Sequence, residues 1–124
     1  MKNSKELEDI MRYATGTEAY HRFNIGPAEI LITDGVVMFI ENADAFWFVS
    51  DFMSYIPEMF KKAPDEYFFA VKLVSSKGKA QMVITDGNAK TLIIKNYSYT
   101  DCPDGEWKFF YDKDSNVMLY HTEY

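Results

Sequence analysis

The chain has 124 residues, 13 Lys or Arg against 19 Asp or Glu, a net charge of −6 and a single cysteine. This length predicts one domain over residues 1–124, one cysteine excludes an intrachain disulfide, and no apolar run approaches the roughly 20 residues of a membrane span. Because the N-terminus lacks an apolar signal segment and the net charge opposes binding to nucleic acid and anionic lipid, we expect a cytoplasmic protein with neither as a partner.

The chain begins with the pattern of a short helix. Apolar residues recur at helical spacing over about residues 4–14, and Asn3 and Glu6 have the spacing of a capping box. The next segment, residues 18–32, is interrupted by Gly26-Pro27. It is compatible with a short strand or a short helix, and the pattern leaves both open.

Two further helices are predicted before the middle of the chain. Thr33 or Asp34 can cap a short one. A longer helix is predicted from Ala45 to about Lys61, with Asp44 as its cap. Pro57 lies inside this segment and predicts a kink, or an end near the residue before it.

The second half of the chain alternates as strands do. Asp86-Gly87-Asn88 is a hairpin signal within it. The pattern predicts about five strands, near residues 67–74, 80–85, 91–95, 107–111 and 117–121. The sequence therefore predicts an α+β domain, with N-terminal helices packed on one face of a C-terminal antiparallel sheet of about five strands.

Residues suited to catalysis or metal binding are few. Cys102 lies in a turn with Asp101 and Asp104, whose charges raise a thiol pKa and oppose activation. His21 and His121 lie near opposite ends of the chain, outside any metal-ligand spacing. We therefore expect a non-enzymatic protein with no catalytic residue, no metal and no cofactor.

The most distinctive feature is an uneven distribution of charge. Residues 23–60 contain no Lys or Arg but six acidic residues. Asp44, Asp51 and Glu58 are spaced by seven residues, so they form one stripe along the predicted helix. As a bare pattern, such a stripe is more typical of a solvated helix face than of a binding site.

Aromatic residues accompany this acidic stripe. Tyr55 projects on to it, and Trp47 and Phe48 flank it on either side. The residues predicted to face the core are Phe46, Val49, Phe52, Met53, Ile56 and Phe60. An acidic surface edged with aromatic rings suits a basic protein partner. The predicted partner-binding residues are Asp44, Trp47, Asp51 and Tyr55.

The strand-rich half is also rich in aromatic residues, which in some proteins stack on single-stranded bases. Such platforms are accompanied by basic residues, whereas residues 99–124 contain six acids and two lysines. We therefore expect these rings to pack in the core and across strands rather than to bind nucleic acid.

Several short segments, in their shared order, resemble a known family. They are Thr15-Gly16-Thr17-Glu18-x-Tyr20, Leu31-Ile32-Thr33-Asp34-Gly35-Val36, Ala45-Phe46-Trp47, Asp86-Gly87-Asn88, Tyr99-Thr100-Asp101-x-Pro103 and Glu123-Tyr124. From about residue 15 to its end, the chain resembles an uncharacterised family of small phage, prophage and mobile-element proteins, classed as a domain of unknown function. The resemblance implies a genomic context and no catalytic residues.

Three functions follow as hypotheses. The first is a non-enzymatic accessory protein of a phage or mobile element that binds a host or phage protein, such as an inhibitor of a bacterial defence system of the anti-CRISPR kind. The second is a small-ligand-binding or enzymatic module built on the Thr33-Asp34-Gly35 turn with His21 or His121, which requires these side chains to share one pocket. The third is a structural module whose aromatic residues form a homodimer interface.

Overall fold

The computed structural model describes residues 3–14, 16 and 18–124. Its elements are α1 (Ser4–Met11), β1 (Tyr20–Ile25), β2 (Ala28–Thr33), α2 (Asp34–Asn42), α3 (Phe46–Lys62), β3 (Phe68–Ser76), β4 (Lys79–Thr85), β5 (Thr91–Tyr97), β6 (Gly105–Asp112) and β7 (Val117–Tyr120). A 3-10 turn follows at His121–Glu123. Within the described residues, no helix is long and apolar enough to cross a membrane.

The strands form one mixed sheet of seven in the order β1-β2-β7-β6-β3-β4-β5. Neighbouring strands are antiparallel except β2 and β7, which run parallel. The predicted α+β class is confirmed. The expectation of about five antiparallel strands is wrong, and the helices are not all N-terminal to the sheet, because β1 and β2 precede α2 in the chain.

The two unpredicted strands come from residues 18–32, the segment that its sequence left open. Gly26 adopts a left-handed φ of +54° and, with Pro27, closes a tight hairpin between β1 and β2. Ile30 and Ile32 alternate into the core from β2. Their strand pairs in parallel with β7, which is far away in sequence, so no local turn signal marks its place in the sheet.

The helices cover one face of the sheet and form the core with it. Strand β6 presents alternate aromatic side chains to the helices, and the ring of Phe109 lies 5.0 Å from those of both Phe39 on α2 and Phe48 on α3. Tyr111 packs against Phe52 of α3 at 5.3 Å. Burial of these rings removes a large apolar area from water and fixes α2 and α3 on the sheet.

The two shorter helices begin where the sequence predicted. Asn3 accepts a hydrogen bond from the Glu6 N–H at 2.9 Å, and the Thr33 hydroxyl accepts one from the Val36 N–H at 3.4 Å. Both contacts satisfy N–H groups that have no partner within the helix. Helix α1 ends at Met11, which is earlier than predicted.

The long helix spans nearly the predicted residues, and the alternative that it ends before Pro57 is wrong. Pro57 lies inside α3, which continues to Lys62. The residue at the N-terminal boundary is Ala45, and no side chain caps it. Asp44 is therefore not the cap that its position suggested; it occupies the preceding turn with a φ of +52°.

The first turn of α3 also points differently from its prediction. Phe46, expected in the core, is 53% exposed, whereas Phe48, expected beside the acidic stripe, is fully buried. The helix begins one residue later than predicted, and its Phe48 ring packs against the rings of Phe39 and Phe109. The apolar face is therefore centred on Phe48 and Phe52 rather than on Phe46.

The opposite face of the sheet has no described helix over it. Its aromatic residues include Phe68 and Phe110, whose ring centroids lie 5.0 Å apart, and Tyr124, which contacts both rings. Rings such as Phe109 and Tyr111 therefore pack in the core, and Phe68 and Phe110 pack across strands β3 and β6, as the sequence led us to expect.

Candidate functional site

Three of the four predicted partner-binding residues line one cavity. Asp44 precedes α3, Trp47 lies in its first turn, and Asp51 lies one turn further on. They surround a cavity of about 320 Å³, whose other side is formed by the end of β5 and the loop after it. The lining residues contributed from that side are Tyr97, Tyr99, Thr100 and Asp101.

The remaining members of the predicted stripe lie elsewhere. Tyr55, the fourth predicted residue, is half-buried against the core and does not line the cavity. Glu58 forms an ion pair with Lys62 at 3.4 Å, within the last turns of α3. The acidic surface that remains is therefore concentrated at the first turns of the helix, beside the loop that carries Asp101.

The aromatic rings of the cavity are held in defined positions. The rings of Trp47 and Tyr97 lie 4.8 Å apart at 59°, and the Trp47 indole N–H donates to the main-chain carbonyl of Asp44 at 3.1 Å. Tyr99 is 75% exposed, and its hydroxyl donates to an Asp101 carboxylate oxygen at 2.8 Å. Two rings thus form the wall of the cavity, and a third stands at its rim.

The charges at the cavity are all negative. No ion pair between described residues includes Asp44, Asp51 or Asp101. Burial, followed by the nearby Asp51 carboxylate, raises the pKa of Tyr97, and the hydrogen bond to Asp101 raises the pKa of Tyr99. Both hydroxyls therefore stay protonated and neutral at physiological pH.

The Tyr97 hydroxyl is itself unusual. Its oxygen is buried and has no hydrogen-bond partner among the described residues. The Asp51 carboxylate interacts with this hydroxyl closely enough to raise the Tyr97 pKa further. A buried polar group without a partner costs free energy.

The cavity combines aromatic faces with carboxylates, two kinds of group that attract cations. The face of a Trp or Tyr ring and a carboxylate both carry negative charge density, so both attract a positively charged ammonium or guanidinium group. The described residues contain no group of three His, Cys, Asp or Glu side chains able to hold a metal ion.

The Thr33-Asp34-Gly35 turn forms a different arrangement. One Asp34 oxygen lies 2.7 Å from His21 Nε2, and the other accepts from the N–H groups of Glu18 and Ala19 at 2.9 and 3.3 Å. These bonds lower the pKa of Asp34, with the His21 contact as the largest cause. Both oxygens are used to fix the start of β1 against α2.

Glu123 completes the same region from the other end of the chain. Its carboxylate accepts from the Thr33 hydroxyl at 2.6 Å, the Gly35 N–H at 3.0 Å and the Tyr120 N–H at 2.8 Å. A negative charge at the N-terminal end of α2 is favourable to the helix. Tyr20, Thr33 and Glu123 also line a wide cavity of about 570 Å³ on the uncovered face of the sheet.

The histidines and the cysteine do not meet in one pocket. His121 lies beside a separate cavity near α1, and burial, followed by Lys108, lowers its pKa. His21 is instead bonded to Asp34. Cys102 is buried, and burial is the main cause that raises its pKa to about 12. Of the two histidines, His21 therefore meets the Thr33-Asp34-Gly35 turn through Asp34, whereas His121 lies beside a different cavity.

A model of a family of unknown function, DUF6876, matches residues 5–124. The chain belongs to this family. No curated protein and no solved structure matches the chain. Since DUF6876 is a family of unknown function, membership brings no residue roles, and the function is argued from the geometry of the chain.

Of the segments that carried the family resemblance, Asp86-Gly87-Asn88 forms the turn between β4 and β5, and the others with a described contact lie at two places. Thr33-Asp34-Gly35 begins α2 and meets Glu123. The segments Ala45-Phe46-Trp47 and Tyr99-Thr100-Asp101, which are far apart in sequence, meet at the acidic cavity. The match to the family model confirms the resemblance to a family of unknown function and extends it from about residue 15 back to residue 5.

Sequence reasoning missed the β5 side of the cavity. Tyr97, Tyr99 and Asp101 occupy every second position of the chain. In an extended segment, this spacing puts their side chains on one side. The sequence pattern assigned the two tyrosines to packing. What it lacked was the pairing of the β5 edge with the first turn of α3, which only the tertiary fold supplies.

Proposed function

We propose that this protein is a non-enzymatic accessory protein that binds a partner protein through the cavity around Trp47. The group that enters the cavity is a Lys or Arg side chain on a basic surface of the partner. The observation that carries the proposal is the meeting of three aromatic rings and three carboxylates around one cavity of about 320 Å³.

The charge of the whole chain supports the same partner chemistry. The net charge is −6, and residues 23–60, which include the cavity residues Asp44, Trp47 and Asp51, contain no Lys or Arg. Such a field accelerates encounters with a basic surface and disfavours acidic ones. The half-buried rings of Trp47 and Tyr97 then supply the apolar contact that a hot spot needs.

The proposal extends to the biological setting. We place the protein in a phage or mobile element, with a host protein as its target. Carboxylates on a rigid surface can occupy basic residues that otherwise bind phosphate groups. A nucleic-acid-binding protein of a bacterial defence system, including the CRISPR type, is therefore the target class that fits this surface chemistry best.

The first experiment follows the cavity directly in solution. The indole N–H resonance of Trp47 is monitored by NMR while a short Arg- or Lys-rich peptide is added. We expect it to shift with the basic peptide, to shift less as salt is raised, and not to shift with a Glu-rich peptide of equal length. Equal shifts with both peptides would contradict the proposal.

Variants test whether the response to the basic peptide arises at this cavity. Reversing the charge at Asp44 and Asp51 should abolish both the shift and the capture of a partner from host lysate, and leave the circular dichroism melt unchanged. Glu41→Lys, an exposed change on α2 away from the cavity, is the matched control and should retain both. Asp44→Asn tolerates the left-handed backbone at this position and gives a neutral variant that separates loss of charge from loss of folding. Unaltered binding by the reversed variant would reject the site.

A further inference from the structure

The two edges of the sheet differ in how they are protected. An unprotected edge strand exposes main-chain donors and acceptors that can pair with another strand. At the β5 edge, the Lys62 ammonium donates to the main-chain carbonyl of Leu92 at 3.0 Å. A register shift between Ile84 and Thr85 also disturbs the β4–β5 ladder. Both features oppose the addition of a strand beside β5.

The β1 edge carries neither kind of protection. The β1–β2 ladder runs without a register shift from Tyr20–Thr33 to Ile25–Ala28. The strand contains no Pro and no Lys. Among the described residues, no side chain forms a hydrogen bond with the main chain of Tyr20–Ile25. Strand β1 is thus a regular edge of six residues with an open side.

The hairpin turn fixes which main-chain groups point outward. A two-residue turn joins Ile25 to Ala28, so these two residues form a hydrogen-bonded pair. Hydrogen-bonded and non-hydrogen-bonded pairs then alternate along the ladder. The N–H and C=O groups of Tyr20, Arg22 and Asn24 therefore point away from β2, toward the open edge.

We propose that this edge binds a second copy of the chain, through antiparallel pairing of β1 with β1 about a two-fold axis at Phe23. In this register, the outward N–H and C=O groups of Arg22 bond with those of Asn24 in the second copy. By symmetry, those of Asn24 bond with Arg22 in the second copy. The two seven-stranded sheets become one continuous sheet. Helices of both copies lie on the same side, because the axis is perpendicular to the sheet.

The side chains favour this register over those centred on Arg22 and on His21. A pairing centred on Arg22 would place two guanidinium groups directly opposite each other, which is unfavourable. A pairing centred on His21 would extend to Glu18 and Ala19, whose N–H groups already bond to Asp34. Centred on Phe23, the pairing sets the only charged residue of the strand against a neutral one.

The same register is also favoured by packing. Phe23 is half-buried and packs against the core on the helix-covered side. In a pair that is not hydrogen-bonded, opposite side chains approach most closely, so the two Phe23 rings would extend both cores across the axis. The acidic cavity lies beside β5, at the other edge of the sheet, so a dimer would carry two separate cavities.

Cysteine cross-linking tests the register. In the proposed pairing, residues 23 of the two copies face each other at a separation suited to a disulfide. Phe23→Cys should form an intermolecular disulfide on mild oxidation, severalfold more than Arg22→Cys, whose opposite residue is Asn24. The native Cys102 is buried and does not compete. Equal cross-linking of both variants, or preferential cross-linking at residue 22, would overturn the register.

A proline substitution tests the pairing itself. The Asn24 N–H points outward, so Asn24→Pro removes a hydrogen bond of the dimer while the ladder with β2 remains. Sedimentation velocity from low micromolar to submillimolar concentration should show concentration-dependent dimers for the wild type and for Asn24→Ala, and monomers for Asn24→Pro. If Asn24→Pro also lowers the melting temperature, the comparison of Phe23→Cys with Arg22→Cys decides whether β1 pairs with β1. A wild-type chain that stays monomeric at every concentration would overturn the proposal and leave this edge to a strand from another protein.

Discussion

At the scale of single residues, Glu123 packs so closely against Gly35 that no side chain fits at position 35 without displacing it. The Glu123 carboxylate receives the Gly35 N–H at 3.0 Å, which brings the acid directly against the first turn of α2. A Cβ atom at position 35 would lie 2.6 Å from the Glu123 carboxyl carbon and 3.0 Å from Tyr120 Cβ. Glycine is therefore required by close approach rather than by an unusual φ.

Substitution at this position should be costly. We expect Gly35→Ala to lower the free energy of unfolding by about 1–3 kcal/mol, because the Glu123 carboxylate must move away and leave its partners unpaired. Urea denaturation measures the change. Gly16→Ala is the matched control, since nothing lies within 4 Å of a Cβ atom there, and it should leave stability nearly unchanged. A Gly35→Ala variant as stable as the wild type would show that this contact has no energetic importance.

The second residue-scale prediction concerns pH. The pKa of Asp34 is lowered from 3.8 by His21 and by main-chain N–H groups, so its ionised form is favoured by folding. The resulting stabilisation is complete above pH 3.8 and is lost as the pH falls through the lowered value. Urea midpoints measured from pH 5 to about pH 2 should therefore fall less steeply for Asp34→Asn than for the wild type. Asp65→Asn, at an exposed turn, is the control, and equal slopes for all three proteins would refute the assignment.

At the scale of elements, α3 contains a residue that its own geometry disfavours. Pro57 lies inside the helix, where it lacks the N–H that would bond to the carbonyl four residues earlier. The helix nevertheless continues to Lys62, because Met59 is fully buried and Phe60 packs against the core beyond the proline. Tertiary packing, rather than helix propensity, keeps this last turn in place.

Replacement of this proline should therefore stabilise the protein. Ala is favoured over Pro by about 3 kcal/mol inside a helix, and the greater freedom of the unfolded chain offsets up to about 1 kcal/mol. We expect Pro57→Ala to raise the free energy of unfolding by about 2 kcal/mol. Thermal and urea denaturation test this, with Lys61→Ala as an exposed control on the same helix. An unchanged or lower stability would mean that the proline is accommodated by a local distortion that alanine does not repair.

The sequence predicted some elements well for reasons that are local. The caps Asn3 and Thr33 act within one turn of their helices, so their signals lie next to the structure that they start. Strands β3 to β7 were also found, since each carries its own alternation. Strand β2 was not, because its partner β7 is supplied by the far end of the chain. The acidic cavity was half predicted for the same reason: α3 was visible, but its contact with Tyr97 and Asp101 was not.

At the scale of the whole molecule, the sheet consists of two parts, the β1–β2 hairpin and the other five strands, which are joined by the last strand of the chain, β7. The β1–β2 hairpin attaches to the remaining strands through the parallel pairs Leu31–Val117 and Ile32–Met118. Asn116, with a left-handed φ of +57°, strengthens this junction. Its carbonyl accepts from the Leu31 N–H at 2.9 Å, and its side-chain amide donates to the Glu29 carbonyl at 2.9 Å. The Tyr111 hydroxyl donates to its side-chain oxygen at 2.5 Å, which links the junction to β6.

Loss of this junction should loosen one part of the sheet and spare the other. Asn116→Asp keeps the size of the side chain, the left-handed backbone and the acceptor for Tyr111, but it cannot donate to Glu29. We expect faster amide hydrogen exchange in β1 and β2, unchanged exchange in β3 and β4, and a loss of about 1–2 kcal/mol in the free energy of unfolding. Asn88→Asp, an exposed change in the turn after β4, should alter none of these. If exchange rises equally in all strands, the hairpin and the other strands unfold as one cooperative unit, and the junction is not the weak point of the sheet.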